Sequence, residues 1–555
     1  MFSNAVVDPR GRRYLTPTRV VWQSDSPAPQ RAAQLLTPWI APTITTTVPS
    51  CILDNIGGMC SVLLDFGREI HGAVTIGSGE TTGNQPVRIR VRFGESIGEA
   101  MGQPNDDHAI HDQTIKVPWL GNVEVGTTGF RFVRIDLLGE GARLELRQVR
   151  AILLVRELTY HGAFESSDDR LNKIWQTGAY TVHLCMQDVL WDGIKRDRLA
   201  WMGDIHPMTR VISAVFGADP IVQQSLDLMK MVTPLPGWMQ GISSYSLWWI
   251  ITQHDWHRTH GNVEYLDDQR WYLLELLTLL CQQIDETGSE KLDGWRFLDW
   301  PTNGNLPAVH AGLQALLTWA LRDGGKLCGV LGEIKQREKC AGVREQCRHA
   351  VEMLERHPVD FSITKQSAAL ASLARLGDAD AINDATLSRD PFGGLSTFYG
   401  YYVLEARARA RDIEGCLTLI RGYWGAMLDR GATTFWEDFS LDWLIDSGRI
   451  DELTPPGQKD LHADFGAHCY TGVRHSLCHG WAAGPTAWLS ENILGITPVT
   501  PGCATIRVKP KLGDLEWADG TYPTPFGPVK VHHERRPGGV VKSEVETPEG
   551  VKVVP

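Results

Sequence analysis

The sequence has no run that approaches the roughly eighteen consecutive apolar residues needed to span a bilayer, so we expect no membrane-spanning segment. No apolar stretch follows the first charged residues, so a secretory signal is not expected either. The 11 cysteines include no CxxC pair and are scattered from Cys51 to Cys503. This distribution argues against a disulfide framework or a structural zinc site. Together these absences predict a cytoplasmic protein with reduced thiols.

The sequence also lacks a basic stripe. Its formal net charge is −12, and short clusters such as Arg10–Gly11–Arg12–Arg13 are typical of a solvated surface. We therefore expect no nucleic acid partner. What the chain has in quantity is tryptophan, with 20 residues. An indole has a broad apolar face that suits the C–H face of a sugar ring, although it also fills hydrophobic cores.

Two changes of periodicity divide the 555 residues into three regions and predict a multidomain α+β protein. Residues 1–160 alternate apolar with polar positions and predict an N-terminal antiparallel β-sandwich. Residues 161–496 read as successive amphipathic helices, which fit a toroid of helical hairpins with a site in the loops at one end. Residues 497–555 return to strands and predict a small C-terminal β-domain. The clearest predicted strands and helices are 61–66, 87–93, 130–137, 271–284, 308–321, 334–356, 365–376 and 482–494. Ser166 and Asp169 resemble a capping box at the first helix.

The densest candidate segment runs from Asp188 to Asp204 and contains acids, cations and two tryptophans. If a helix begins near Lys195, then Asp197, Trp201 and Asp204 share one of its faces. An indole beside a carboxylic acid removes it from water and raises its pKa, which suits a general acid. The same residues also fit a surface network of salt bridges around a structural tryptophan.

Two later segments supply further candidates. Residues 431–439 break the helical pattern and place Trp436 beside Glu437. Two separated acids are the minimum apparatus for glycosidic hydrolysis, so Glu437 is a partner for the first segment, although alone it could equally cap a helix. Residues 476–485 contain His479 among small residues that let the backbone approach another group closely. His479 is a candidate hydrogen-bond partner for a sugar hydroxyl or for Glu437, or a structural histidine.

Weaker candidates are aromatic or histidine-rich. Asp299 and Trp300 end an aromatic segment that could line a sugar pocket. Trp248 and Trp249 are consecutive and cannot face the same way, so at least one of them is expected in the core. His254, His257 and His260 suggest a metal at first sight. On a helix, however, residues spaced three apart turn progressively away from a single face. No acid completes a ligand set either, so no metal is predicted.

With these segments in place, the chain resembles the bacterial α-L-rhamnosidases of glycoside hydrolase family 78, the six-hairpin glycosidases. The family's first motif, Asp-Cys-Pro-Gln-Arg-Asp-Glu-Arg-Leu-Gly-Trp-Thr-Gly-Asp, corresponds to residues 192–204. Its second, Gly-Ala-Thr-Thr-x-Trp-Glu, matches residues 431–437 without a break. Its third, a Ser-x-x-His-Gly segment, matches residues 476–480. The resemblance implies an N-terminal β-sandwich, an (α/α)6 barrel and a C-terminal β-sandwich, in that order.

The first motif is one residue shorter here than in the family. Counting back from Trp201, the position of the family's general-acid Glu is held by Asp197, and the counterpart of Arg196 stays open. The resemblance implies an inverting mechanism in which Asp197 protonates the leaving oxygen and Glu437 deprotonates water. The two carboxyl groups would then stand about 6.5–9.5 Å apart.

Motifs and resemblance together predict release of terminal α-L-rhamnose from a glycoside or oligosaccharide, with no metal or organic cofactor. The substrate-binding candidates are Asp192, Arg196, Trp201, Asp204, Trp249, Asp299, Trp300, Trp436 and His479. Two alternatives stay open: a related inverting hydrolase for another sugar, and a non-catalytic carbohydrate-binding relative in which the change from Glu to Asp marks lost activity. The sequence predicts neither the aglycone nor the oligomeric state.

Overall fold

The computed structural model describes residues 7–38, 49–102 and 112–554, which form two compact units. The first unit comprises the described residues up to 157 together with 183–198 and 427–479, and the second comprises residues 158–182, 199–426 and 480–554. Two segments from the stretch predicted as the helical domain therefore group with the N-terminal strands. Both of these segments carry candidate site residues.

The N-terminal part of the first unit is built from eight strands and one short helix within the described residues. They are β1 (Arg10–Leu15), β2 (Arg19–Gln23), β3 (Cys51–Asp54), β4 (Ser61–Thr81), β5 (Val87–Gly94), α1 (Ile97–Met101), β6 (Asp112–Val117), β7 (Asn122–Leu138) and β8 (Arg143–Arg156). The predicted strands at 61–66, 87–93 and 130–137 lie inside β4, β5 and β7.

These strands form a single hydrogen-bonded antiparallel network rather than two separate sheets. The order is β1-β8-β4-β7-β5-β6, with β2 beside β4 and β3 beside β8. The long strands β4, β7 and β8 change register along their length, and such bulges bend a strand. Buried Val62, Leu64, Ile135 and Leu137 line the apolar interior.

Helices dominate the second unit. They are α2 (Asp169–Cys185, of which the last turn lies in the first unit), α3 (Met202–Val215), α4 (Pro220–Val232), α5 (Ser243–His260), α6 (Val263–Asp268), α7 (Arg270–Cys281), α8 (Leu306–Ile334), α9 (Arg337–Arg356), α10 (Lys365–Leu373), α11 (Ala379–Ile382), α12 (Gly400–Arg409) and α13 (Ile413–Asp429). Asp168, and not the predicted Ser166, caps α2, because its carboxylate accepts from the N–H groups of Arg170 and Leu171 at 2.8 and 3.2 Å.

The described helices of this unit contain a closed ring. Helix α3 contacts α5, and the ring continues through α8, α10 and α12 to α14 (Gly484–Trp488), which contacts α3. Glycines permit the close approaches that closure needs: a Cβ at Gly484 would lie 2.5 Å from the Tyr401 side chain, and one at Gly480 would clash with Met208. This ring agrees with the predicted toroid.

The segment before α3 is not helical, in contrast to the helix predicted near Lys195. Helix α3 begins at Met202, and Asp197 and Arg198 have φ values of 52° and 57°. A left-handed backbone at two consecutive residues cannot continue a right-handed helix. Asp197, Trp201 and Asp204 therefore do not share a helical face.

Short strands complete the chain. The first unit contains a two-stranded hairpin of β10 (Gly466–Ala467) and β11 (Tyr470–Thr471). The second unit contains one sheet of order β12-β13-β17 and another of order β16-β15-β14-β9. Their strands are β9 (Ala163–Ser166), β12 (Ile496–Pro498), β13 (Thr505–Val508), β14 (Trp517–Thr524), β15 (Gly527–Arg535), β16 (Val541–Glu546) and β17 (Lys552–Val554). Since β9 precedes the helices in sequence, the C-terminal sheets are not built from residues 497–555 alone.

Across residues 7–38, 49–102 and 112–554, no helix combines the length and the apolarity that crossing a bilayer requires. All 11 cysteines lie in this part of the chain, and all are free thiols.

Candidate active site

Six of the predicted site residues belong to the first unit: Asp192, Arg196, Asp197, Trp436, Glu437 and His479. They come from two irregular segments, one between α2 and α3 and the other after α13. Gly193 forms an isolated β-bridge with His479, and this brings the first segment against residues 476–479. A Cβ at Gly193 would lie 3.0 Å from the carbonyl of Cys478, so glycine permits the close approach.

Glu437 is buried, at 2% exposure, and is held by an arginine, a histidine and the backbone. Nη2 of Arg196 lies 2.5 Å from Oε1 of Glu437 and 2.6 Å from Oε2. Nε2 of His479 lies 3.3 Å from Oε1. The backbone N–H of Ser476 donates to Oε2 at 3.1 Å, and the N–H of Glu437 donates back to the carbonyl of Ser476 at 2.9 Å. The carboxylate is thus fixed from several directions.

These contacts keep Glu437 ionised. Burial alone would raise the pKa of its carboxyl group, but the Arg196 guanidinium, with help from His479 and His475, outweighs burial and holds that pKa well below its usual range. A carboxylate with this pKa is in the form that a general base requires across the neutral range.

Arg196 also reaches Asp197. Its Nη1 lies 3.8 Å from Oδ1 of Asp197, whose side chain is 29% exposed. Asp197 is thus open to solvent, in contrast to the buried Glu437. The guanidinium contacts both carboxylates that the sequence predicts as the catalytic pair, within one compact unit.

Asp192 and Trp436 complete the group in the first unit. Asp192 is buried, and its Oδ2 lies 3.6 Å from Nε2 of His479. His479 therefore lies between the carboxylates of Asp192 and Glu437. Trp436 is also buried and packs edge-on against Phe439. Its buried indole N–H has no hydrogen-bond partner among the described residues.

The other five predicted residues belong to the second unit. Asp299 is buried and accepts from Oγ of Ser396 at 2.5 Å and from Nε2 of Gln366 at 3.1 Å. Burial raises the pKa of Asp299 to about 6, and these two hydrogen bonds lower it only in part. Asp204 is buried in the first turn of α3.

Trp201 and Trp300 lie on one row of aromatic rings. Trp201 packs edge-on against Tyr245 at 6.2 Å between ring centroids, and Tyr245 packs against Phe297 at 6.5 Å. Phe297 contacts Trp300 at 5.1 Å. The row also explains Gly203, because a Cβ there would lie 2.6 Å from Cε1 of Tyr245.

Trp249 is a packing residue in the structure. It is fully buried, its indole N–H donates to the carbonyl of Leu226 at 3.1 Å, and its ring packs against Tyr272. The neighbouring Trp248 instead stacks on His206 and Tyr402. Both consecutive tryptophans are fully buried, so the expectation that at least one lies in the core is met, and Trp249 is the one that was predicted to bind substrate.

Two regions of the chain match families of known protein domains. Residues 159–316 match the bacterial α-L-rhamnosidase 6-hairpin glycosidase domain, and residues 495–554 match the bacterial α-L-rhamnosidase C-terminal domain. Over these two regions the chain is similar to the bacterial α-L-rhamnosidases. The resemblance predicted from the sequence motifs is therefore confirmed.

Curated rhamnosidases share part of this sequence. An α-L-rhamnosidase of Streptomyces avermitilis is 28% identical over 121 residues, which are 21% of this chain and 10% of that protein. An α-L-rhamnosidase of Formosa agariphila is 26% identical over 152 residues, or 26% of this chain and 16% of that protein. The matched region is thus a small part of each of these longer relatives.

Solved rhamnosidase structures share the fold across most of the chain. A family 78 rhamnosidase of Bacillus sp. GL1 superposes with a TM-score of 0.73 at 22% identity, covering 94% of this chain and 55% of that one. A rhamnosidase from Klebsiella oxytoca with rhamnose bound gives a TM-score of 0.67 at 20% identity, covering 87% of this chain and 96% of that one.

Sequence reasoning missed several residues that the structure places beside the candidates. Tyr245 and Phe297 join Trp201 to Trp300 in the aromatic row, but neither belongs to a recognised motif. His206 lies two residues after Asp204, and its Nδ1 lies 2.9 Å from the hydroxyl of Tyr402. The signal that could have indicated His206 was its position in α3, the helix that also contains Asp204.

Proposed function

We propose that this chain is an inverting glycoside hydrolase that releases terminal α-L-rhamnose, with Asp197 as general acid and Glu437 as general base. The observation that carries the proposal is the Arg196 guanidinium, which contacts both carboxylates in one unit. The match of two regions to domains of α-L-rhamnosidases supports rhamnose as the sugar.

The two acids differ in their exposure to solvent. Glu437 is buried and ionised, so it can accept a proton from the water that attacks the anomeric carbon. Asp197 is partly exposed, so the glycosidic oxygen can reach it. Asp is one methylene shorter than Glu, so the backbone at Asp197 must lie closer to the glycosidic oxygen than the backbone of a Glu would. That backbone is left-handed. Protonation of the leaving oxygen and attack by water then proceed on opposite faces of the sugar ring.

The remaining candidates take supporting roles in this proposal. Asp192 and the free indole N–H of Trp436 are positioned to bind hydroxyl groups of the sugar, and His479 orients Glu437. Asp204, Asp299, Trp201 and Trp300 remain proposed sugar contacts on the strength of the resemblance. Trp249 is not retained, because its indole is committed to Leu226.

The substrate is proposed to be a small rhamnosylated glycoside or oligosaccharide in the cytoplasm. The 11 free thiols fit a reducing compartment. Cell fractionation checks this location, and recovery of the protein from a periplasmic or secreted fraction would contradict it.

Assay of the purified protein on a panel of aryl glycosides tests the function. We expect turnover of the aryl α-L-rhamnoside, and its loss in both Asp197→Asn and Glu437→Gln. Turnover of a different aryl glycoside would instead favour a related hydrolase. Rhamnose binding without turnover of any panel member would identify a non-catalytic carbohydrate-binding relative. Activity that survives both substitutions would reject the residue assignment.

A further inference from the structure

A second buried group of charges lies in the first unit, apart from the predicted catalytic pair. Lys195 is 1% exposed, and its Nζ lies 2.9 Å from Glu99 and 3.6 Å from Glu95. Glu95 follows strand β5, and Glu99 lies in α1. The charges come from the N-terminal sheet and from the segment before α3, and no motif of the sequence analysis included Glu95 or Glu99.

This group holds the segment that follows β11, residues 473–477. The Nζ of Lys195 donates to the carbonyl of Val473 and, at 3.0 Å, to the carbonyl of His475. Glu95 accepts from the N–H of Leu477 at 2.6 Å and from Oγ of Ser476 at 3.3 Å. The Lys195 ammonium therefore binds carbonyl groups of this segment, and the Glu95 carboxylate binds its N–H and O–H donors.

The same segment fixes Glu437. Ser476 donates its N–H to the Glu437 carboxylate and accepts the N–H of Glu437. Nε2 of His475 accepts from the N–H of Asp438 at 2.9 Å, and the carbonyl of Leu477 accepts from Oγ1 of Thr434 at 2.7 Å. A shift of residues 475–477 would therefore move the Glu437 carboxylate with them.

We infer that Glu95 and Lys195 are positioning residues, which clamp residues 473–477 and thereby set the geometry of Glu437. The inference rests on the proposed function, because it assigns these residues to the geometry of that site. Neither residue contacts Glu437 directly. Lys195 adjoins Arg196, so of two consecutive residues in one loop the first binds residues 473–477 and the second binds the Glu437 carboxylate.

The charges of the group suit a clamp better than a metal site. Donor atoms of Glu95, Glu99 and His462 lie within 4.8 Å of one another, a spacing that a cation could bridge. The Lys195 ammonium, however, already supplies a positive charge there and donates to two carbonyls. Burial raises the pKa of Glu95 to about 7 against the opposing effect of Lys195, so at pH 8 Glu95 is an anion.

Glu95→Gln tests the clamp at pH 8, because it keeps the size of the side chain and removes the charge. Misplacement of a catalytic group by about 1 Å can cost about 100-fold, so we expect kcat to fall about 10- to 100-fold and KM to change less than about twofold. The matched control is Asp136→Asn, which removes another buried carboxylate of the same sheet, bound by Arg92 and Arg134. We expect its kcat to stay within about twofold of wild type.

Hydrogen exchange of residues 473–477 gives a second readout that needs no substrate. We expect faster exchange at Leu477 in Glu95→Gln than in Asp136→Asn, because the Glu95 carboxylate no longer holds that amide. Unchanged exchange, or a fall in kcat no larger than that of the control, would overturn the clamp. Should wild type hydrolyse no rhamnoside, the proposed function fails and the exchange comparison alone decides the clamp. If Glu95→Gln does not fold, Ser476→Ala removes the Oγ contact with Glu95 together with the Oγ contacts with Cys478, and the same faster exchange is required of it.

Discussion

Nη2 of Arg196 contacts both carboxylate oxygens of Glu437, at 2.5 and 2.6 Å, and both side chains are buried. Such a pair costs desolvation when it forms, and removing one partner leaves the other charge buried without compensation. The pair therefore couples the stability of the first unit to the carboxylate that we propose as the general base.

Glu437→Gln should lose both activity and stability. We expect kcat to fall by roughly 10²- to 10⁴-fold, because an amide cannot accept the proton from water. We also expect the free energy of unfolding to fall by about 3–5 kcal/mol, because Arg196 is left buried without its anion. Steady-state kinetics and urea unfolding measure the two effects. Full activity in this variant would exclude Glu437 as the base.

Substitution of Asp197 should depend on the leaving group. An acid that protonates the departing oxygen matters little when the departing group is already a stable anion. We expect Asp197→Asn to lose about 100-fold more activity on an alkyl α-L-rhamnoside than on a dinitrophenyl one. Equal losses on the two substrates would show that Asp197 does not act as the acid. Asp197→Glu, which restores the residue type of the family motif, serves as the matched variant.

Asp299 should make stability depend on pH. Burial raises its pKa to about 6 from the ordinary value of 3.8, so the native state binds the proton more tightly than the unfolded chain does. Its contribution to stability is then complete below about pH 4 and is lost as the pH rises through 6. Asp299→Asn does not titrate, so we expect it to gain about 2 kcal/mol relative to wild type between pH 4 and pH 7. Denaturant unfolding at both pH values checks this, and a constant difference would contradict it.

Trp249→Phe should show whether Trp249 contributes to core packing or to substrate binding. The substitution removes the hydrogen bond to Leu226 and leaves a small cavity, so we expect a loss of about 1–3 kcal/mol in unfolding free energy. We expect kcat and KM on the aryl rhamnoside to stay within about twofold of wild type, which steady-state assays check. A large rise in KM without loss of stability would restore Trp249 to the substrate site.

The sequence predicted what depends on local pattern. Alternation located β5 and β7, helical periodicity located α7 to α10, and the Trp-Glu motif singled out Glu437. The sequence did not predict which distant residues contact each other. Arg196 and Glu437 are 241 residues apart, and no spacing rule connects them. Likewise, β9 joins the C-terminal sheet across the whole helical region.

The backbone conformation of the segment before α3 was also not predicted, because no sequence signal marks it. Asp197 and Arg198 adopt left-handed backbone although neither is glycine, so a helix was predicted where an irregular loop occurs. The clamp was missed for a related reason. Glu95 lies at the end of a strand whose alternation predicts only packing, and its role depends on a partner 100 residues later in the chain.

The anomeric form of the first sugar released tests the account most directly. Proton NMR during hydrolysis of an aryl α-L-rhamnoside distinguishes the two anomers before they interconvert. A base that activates water opposite the leaving group inverts the anomeric carbon, so we predict that β-L-rhamnose accumulates first. First appearance of α-L-rhamnose would contradict the assignment of Glu437 as a base and Asp197 as its partner acid.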